Sequence, residues 1–153
     1  MGGHESGGFG FFRAGRWSWG EWGEKNDFDL LTAEWYYLAL KSERDFARQL
    51  NKESDMAQLD KMMKMMQDNF DKRFWSGTDY RSSTYTETMS DDRAQAMAVL
   101  CGLAGEDKYP AILKILKNSF FSSPLLEMYV QQALFKMGQG TYALQRAKNR
   151  YAK

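Results

Sequence analysis

From residue 26 onward, apolar residues recur at helical spacing in six runs that alternate in character. The first follows Asn26 and Asp27, either of which can cap a helix, and Asp29 suits the positive end of that helix. Leu30, Leu31, Trp35, Leu38 and Ala39 then mark a stripe that Tyr36, Tyr37 and Leu40 widen, which predicts a helix covered on most sides. The second run is one-sided. Met56, Leu59, Met63, Met66, Phe70 and Phe74 step by three or four, and Asp60, Lys61, Lys64, Asp68, Asp71 and Lys72 fill the other face, so a solvent-backed helix is expected from about Ser54.

Residues 75–90 read as a long loop, with Ser76-Gly77 as a turn and a short extended piece at Tyr80, Thr84, Tyr85 and Thr86. The alternation then repeats. Ser90 or Asp91 caps an almost wholly apolar helix, Ala94 to Leu103, closed by Gly102 or Gly105. Pro110 sits in the first turn of a shorter amphipathic helix carrying Ile112, Leu113, Ile115 and Leu116. Ser123-Pro124 opens another apolar helix, Leu125 to Met137, stopped by Gly138, and Thr141 caps a basic helix ending near Tyr151.

Buried and amphipathic helices in strict alternation predict an all-α fold of three antiparallel helical hairpins, each giving one helix to an interior and one to solvent. An α-solenoid and an arc of an (α/α) toroid both satisfy that order. The buried helices begin near 28, 91 and 124, so the steps of 63 and 33 are unequal, which suits a toroid arc better than a regular repeat. Residues 1–25 form a separate glycine- and tryptophan-rich loop ahead of the helical domain, 26–153. Eight of the 13 glycines, at 2, 3, 7, 8, 10, 15, 20 and 23, fall there, and each costs a helix about 1 kcal/mol relative to Ala.

Charge and composition narrow the chemistry. With 21 Lys+Arg against 20 Asp+Glu, the net charge of +1 offers no clustered surplus for nucleic acid or an anionic membrane. One histidine, His4, and one cysteine, Cys101, exclude an internal disulfide, a multi-histidine metal site and a Ser-His-Asp triad with a buried imidazole. No cofactor or metal is expected, and any catalysis falls to carboxylates. No stretch approaches the ~18 uninterrupted apolar residues of a membrane span, and the first ten residues lack the apolar core of a secretory signal. A soluble chain is expected, its compartment left open, an exported periplasmic parent included.

The chemistry-bearing segment is Trp17-Ser18-Trp19-Gly20-Glu21-Trp22-Gly23-Glu24, three tryptophans and two carboxylates on a glycine loop just before a helix. Indole faces stack on the C–H faces of sugar rings, carboxylates accept from vicinal hydroxyls, and glycine lets backbone approach a ligand. The same tryptophans could equally plug the end of a helical core.

The run Gly15 to Gly23, followed by Asn26-Asp27, Leu30-Leu31 and Ala33-Glu34-Trp35-Tyr36-Tyr37-Leu38-Ala39-Leu40, resembles the middle of the catalytic domain of bacterial α-L-rhamnosidase-like proteins. The likeness continues through Phe74-Trp75-Ser76-Gly77, Tyr80-Arg81-Ser82, Asp91-Asp92-Arg93-Ala94-Gln95-Ala96, Ser123 to Val130, Ala133 to Gly138 and Arg146 to Tyr151. It implies an (α/α)6 toroid of the six-hairpin glycosidase type and hydrolysis of α-L-rhamnosides with inversion, by a general acid and a general base about 6.5–9.5 Å apart. In that family the acid lies in an upstream motif ending in Trp-Gly-Asp and the base in a downstream Thr-Leu-Trp/Phe-Glu-Gly-Trp type motif. This sequence contains neither, and it has Glu21 where relatives commonly have Asp. The resemblance therefore implies a central, half-toroid segment of a glycoside hydrolase, inactive in isolation, whose catalytic residues are not assigned. It implies substrate contacts at Trp19, Glu21, Trp22, Glu24 and Asp27, with a rhamnose-containing glycan as partner.

The alternatives are a non-catalytic sugar-binding module and a helical interaction scaffold. Half a toroid leaves inner helices uncovered on two flanks, which predicts homodimerisation or association through those helices. Asp91-Asp92-Arg93 reads as a cap with a local ion pair, or as an inner-ring end facing the cleft. Glu127, an acid among apolar neighbours, needs a partner such as Arg93 or Arg146 unless it meets sugar. Helical spacing makes Met62, Met63, Met65 and Met66 core packing, with Met62 and Met65 partly exposed, and Cys101 an inert small hydrophobe.

Overall fold

The computed structural model describes residues 25–152 of the 153-residue chain. The residues in this range are helical apart from their connections, as the alternating periodicity requires. The elements are α1 (Phe28–Gln49), α2 (Glu53–Phe74), α3 (Asp92–Cys101), a 3-10 turn (Glu106–Lys108), α4 (Tyr109–Asn118), α5 (Pro124–Lys136) and α6 (Gly140–Tyr151).

Local signals set most boundaries. The Asp27 and Asp91 side chains cap α1 and α3, and proline occupies the first turns of α4 and α5. Gly102 closes α3 at φ +78°, a left-handed conformation that glycine adopts without a Cβ penalty. The last helix departs from expectation. It begins at Gly140 behind Gln139, with no side-chain cap, so Thr141 lies inside its first turn. In the loop, the extended pairing is a single antiparallel bridge between Trp75 and Tyr80 and does not involve Thr84 to Thr86.

The centre of the structure is α3, nine of whose ten residues are buried. Ala94, Ala96 and Ala98 keep its surface shallow, so α1 can pack on one side and α5 on the other. The outer helices follow the chain: α2 packs on α1, α4 on α3 and α6 on α5. Hydrogen bonds at both ends show that α1, α3 and α5 run side by side in one direction. The Asp27 amide donates to Asp91 Oδ2 (3.0 Å), and the Phe121 amide, just ahead of α5, donates to Asp92 Oδ1 (3.1 Å). At the opposite end, Lys41 of α1 and Lys136 of α5 reach the Cys101 and Val99 carbonyls at 3.2 and 2.7 Å. These cations meet the negative end of the α3 dipole.

The residues that widen the α1 stripe are covered as expected, Tyr37 and Leu40 buried and Tyr36 half-buried against the core, while Phe28, Phe46 and the adjoining Leu50, outside that stripe, stay exposed. Met62 is half-buried and Met65 exposed, and Cys101 is buried with its thiol pushed well above its usual range by desolvation. No helix among the described residues is long and apolar enough to cross a membrane.

Candidate functional site

The N-terminal ends of α1, α3 and α5 meet in a buried polar knot, because each helix has an acidic residue at its cap or in its first turn that must find donors away from water. Asp27 is only 2% exposed; its Oδ1 accepts from the Leu30 amide (3.2 Å) and its Oδ2 from the Ser82 amide (2.7 Å). Asp91 Oδ1 accepts from the amide and Nε of Arg93, at 3.0 and 2.6 Å. Burial pushes the Asp91 carboxyl up, against the pull of Arg93. The same guanidinium donates to the Lys25 carbonyl (3.0 Å) and the Phe121 carbonyl (3.3 Å), joining the starts of all three helices.

A second cluster lies beside it. Arg146 of α6 donates through Nη2 to Asp92 Oδ2 (2.7 Å) and Glu127 Oε2 (2.9 Å), and through Nε to Glu127 Oε1 (2.7 Å). Its Nη1 bonds the Leu116 and Ser119 carbonyls. Ser122 Oγ donates within this cluster, 2.6 Å from Glu127 Oε2 and 3.2 Å from Asp92 Oδ2. Desolvation works to raise Glu127, but hydrogen bonds from Arg146 and Ser122 overrule it and hold the carboxyl below its usual range. Of the two partners the sequence offered Glu127, Arg146 is the one it takes. Asp91-Asp92-Arg93 likewise resolves as cap and ion pairs.

The long loop is pinned from two sides. The Gln95 side chain exchanges both amide bonds with the Tyr80 backbone, at 2.9 and 2.7 Å. Asp79 gathers Ser76, Ser90 and Arg81, whose hydrogen bonds outweigh desolvation and keep its carboxyl low.

These constraints shape a cleft of about 310 Å³ at the start of α1, lined by Lys25, Asn26, Asp27, Phe28 and Asp29 on one side and by residues 84–87 on the other. Its accessible chemistry is a half-exposed Phe28 ring, Asp29 (Thr84 Oγ1 at 2.7 Å) and a Lys25–Glu87 pair at 3.6 Å. Tyr85 closes the back, its hydroxyl near the Lys25 and Met89 carbonyls. An apolar ring beside carboxylates and an ammonium is suited to a polyhydroxylated ligand, stacking on one face while charged groups meet its hydroxyls.

Among the substrate-contacting candidates, Asp27 sits at this cleft, but both its oxygens accept backbone amides, so it shapes the wall and leaves Asp29 and Glu87 as the accessible acids. Trp19, Glu21, Trp22 and Glu24 lie outside the described residues. Glu34 stands in the run that carries the resemblance but was not among the candidate residues. It is fully buried on α1, and neither carboxyl oxygen meets a hydrogen-bond donor among the described residues. Desolvation first, then Asp91 and Asp27, push it well above the ordinary carboxylate range. Its signal was present: position 34 falls on the Leu30–Tyr37 stripe, where a carboxyl has to be buried. No family model, curated protein or solved structure matches this chain.

Proposed function

We propose that this chain is a three-hairpin arc of an (α/α)6 toroid, a segment of a glycoside hydrolase of the inverting α-L-rhamnosidase type that supplies part of the sugar-binding cleft. The observation that carries the reading is the parallel row α1, α3, α5, with α2, α4 and α6 each backing the helix before it. An inner and an outer ring would pair the helices in this way, which supports the reading. The row's knotted N-terminal ends border the cleft at the start of α1, where Phe28, Asp29 and Glu87 would contribute sugar contacts.

In this reading the chain binds and does not cleave. An inverting pair needs two available carboxyls about 6.5–9.5 Å apart, one protonated and one activating water. Asp27, Asp91, Asp92 and Glu127 are all buried and committed to amides or guanidinium groups, and the accessible acids of the cleft, Asp29 and Glu87, are engaged by Thr84 and Lys25.

Titration of the purified chain with rhamnose-containing oligosaccharides tests this. A saturable change in tryptophan fluorescence is expected, weakened by Trp22→Ala and by Glu87→Ala, together with no turnover of an aryl α-L-rhamnoside. Absence of any fluorescence response at millimolar sugar refutes the binding role. Turnover abolished by Glu21→Gln refutes the assignment of catalysis to residues outside the chain.

A further inference from the structure

Between the long loop and α4 lies a second cleft, of about 490 Å³, that shares no residue with the one at the start of α1. Its size falls within the roughly 300–1,000 Å³ of small-molecule sites. The floor is fixed by buried polar groups. Asp79, 4% exposed, accepts from Ser90 Oγ (2.6 Å) and from Nε and Nη2 of Arg81 (2.9 and 2.8 Å). Ser119, equally buried, ties the end of α4 to the loop by donating from Oγ to the Ser90 carbonyl (2.8 Å). Arg81 commits four of its five N–H groups to Asp79, Ser90 and the Glu87 carbonyl, which leaves one on Nη1 at the cleft.

The wall given by α4 follows from helical spacing, with Ala111, Lys114, Ile115 and Asn118 at i, i+3, i+4 and i+7. Asn118 Nδ2 donates to the Lys114 carbonyl (2.7 Å), so its Oδ1 stays available to accept from a hydroxyl. Ile115 is half-buried and Met89, on the loop side, is exposed, and together they offer an apolar strip beside the Thr88 hydroxyl. The charge at this cleft does not balance. Asp79 and Arg81 neutralise each other and α4 contains no acid, so the Lys114 ammonium is a cation with no acidic partner among the described residues.

We propose that this cleft binds a sugar acid, a polyhydroxylated ring carrying one carboxylate. The carboxylate meets Lys114 Nζ and the remaining Arg81 N–H, ring hydroxyls meet Asn118 Oδ1 and Thr88, and the C–H face lies on Ile115 and Met89. One unmatched ammonium calls for one negative charge. A phosphate ester brings close to two at neutral pH and leaves the second uncompensated, while a neutral sugar gives Lys114 nothing to pair with. The site needs neither the toroid nor the tryptophan-rich segment, so it stands apart from the glycoside hydrolase reading.

The test is a titration of the isotope-labelled 153-residue chain with glucuronate, and in parallel with glucose, acetate and a hexose phosphate, read from the amide resonances of Thr88, Lys114 and Asn118. Saturable shifts at these positions are expected with glucuronate at millimolar concentration and none with glucose. Lys114→Gln changes an exposed side chain and should weaken binding about tenfold, the loss of one charge-assisted hydrogen bond, with an unchanged far-UV circular dichroism spectrum. Lys117→Gln removes an equal charge from the same helix, where the ammonium lies over the Tyr142 ring (5.3 Å) outside the cleft, and should leave the affinity unchanged. The proposal is overturned if glucose shifts the same amides as strongly, if acetate or the hexose phosphate binds as tightly as glucuronate, if both variants weaken binding alike, or if glucuronate saturates nothing here. A chain that takes glucuronate and is silent to rhamnose-containing oligosaccharides refutes the functional reading alone. A response to those oligosaccharides at Phe28 and Asp29, with none to glucuronate, refutes the sugar-acid site alone.

Discussion

Replacing Glu34 with methionine should stabilise the protein at neutral pH, and by an amount that grows with pH. The carboxyl is fully buried, both oxygens lack donors among the described residues, and Asp91 and Asp27 add negative potential. In the unfolded chain the group titrates near 4.5; in the folded chain its value lies well above that. Between the two, the folded state holds a proton that the unfolded state has released, so stability is full below the unfolded value and declines as pH rises. One proton difference costs about 1.4 kcal/mol per pH unit, so each pH unit between the unfolded and the raised folded value removes about that much stability. Methionine has a similar length, packs adaptably and does not titrate. Urea denaturation of both proteins at fixed chain concentration, repeated across pH 5 to 7.5, reads the difference directly. Parallel stability curves would refute the reasoning, because they require Glu34 to be ionised and solvated, or partnered, in the folded protein.

Two further variants test the buried polar groups. Arg146→Met leaves buried Asp92 without its cation and Glu127 with only Arg150, 3.4 Å away, and should cost about 3–5 kcal/mol in urea denaturation, with part recovered by adding Glu127→Gln. The same variant should lose the acid-side dependence of stability. The depressed Glu127 carboxyl stabilises the fold above its unfolded value and loses that contribution as pH falls through its lower folded value. Gln95→Leu strips both partners from the Tyr80 backbone and should cost about 1–3 kcal/mol per unpaired group, with faster hydrogen exchange at the Tyr80 amide while the centres of α1 and α5 keep their protection.

The helices themselves were legible because their signals are local. Asp27, Asp91, Pro110, Pro124, Gly102 and Gly138 act within one turn of where they stand, and the 3.6-residue stripes needed only counting. The row of α1, α3 and α5 was implicit in the alternation of wholly apolar with one-sided helices. Other features depended on residues far apart. Nothing in Gln95 alone announces that its amide will clamp Tyr80, and the choice of Arg146 over Arg93 for Glu127 is decided by how α6 lies against α5. The start of α6 was misread because Thr141 is a good cap by type, while the chain already turns at Gly138, φ +73°, and leaves Gln139 in the capping position. At the cleft, Asp27 was visible as a helix cap and as a candidate contact. Burial decided which of its roles uses up its oxygens.

The cluster around Arg146 also sets a schedule for biosynthesis. Asp92 and its cation are 54 positions apart, and the Asp27 amide and Asp91 are 64 apart, so neither pair can form while the intervening chain is still being made. A nascent chain ending before α6 holds Asp92 and Glu127 at the brink of burial with no guanidinium to receive them. Docking α5 on α3 is therefore opposed until α6 has left the ribosome, and α3, α5 and α6 are committed together instead of one by one.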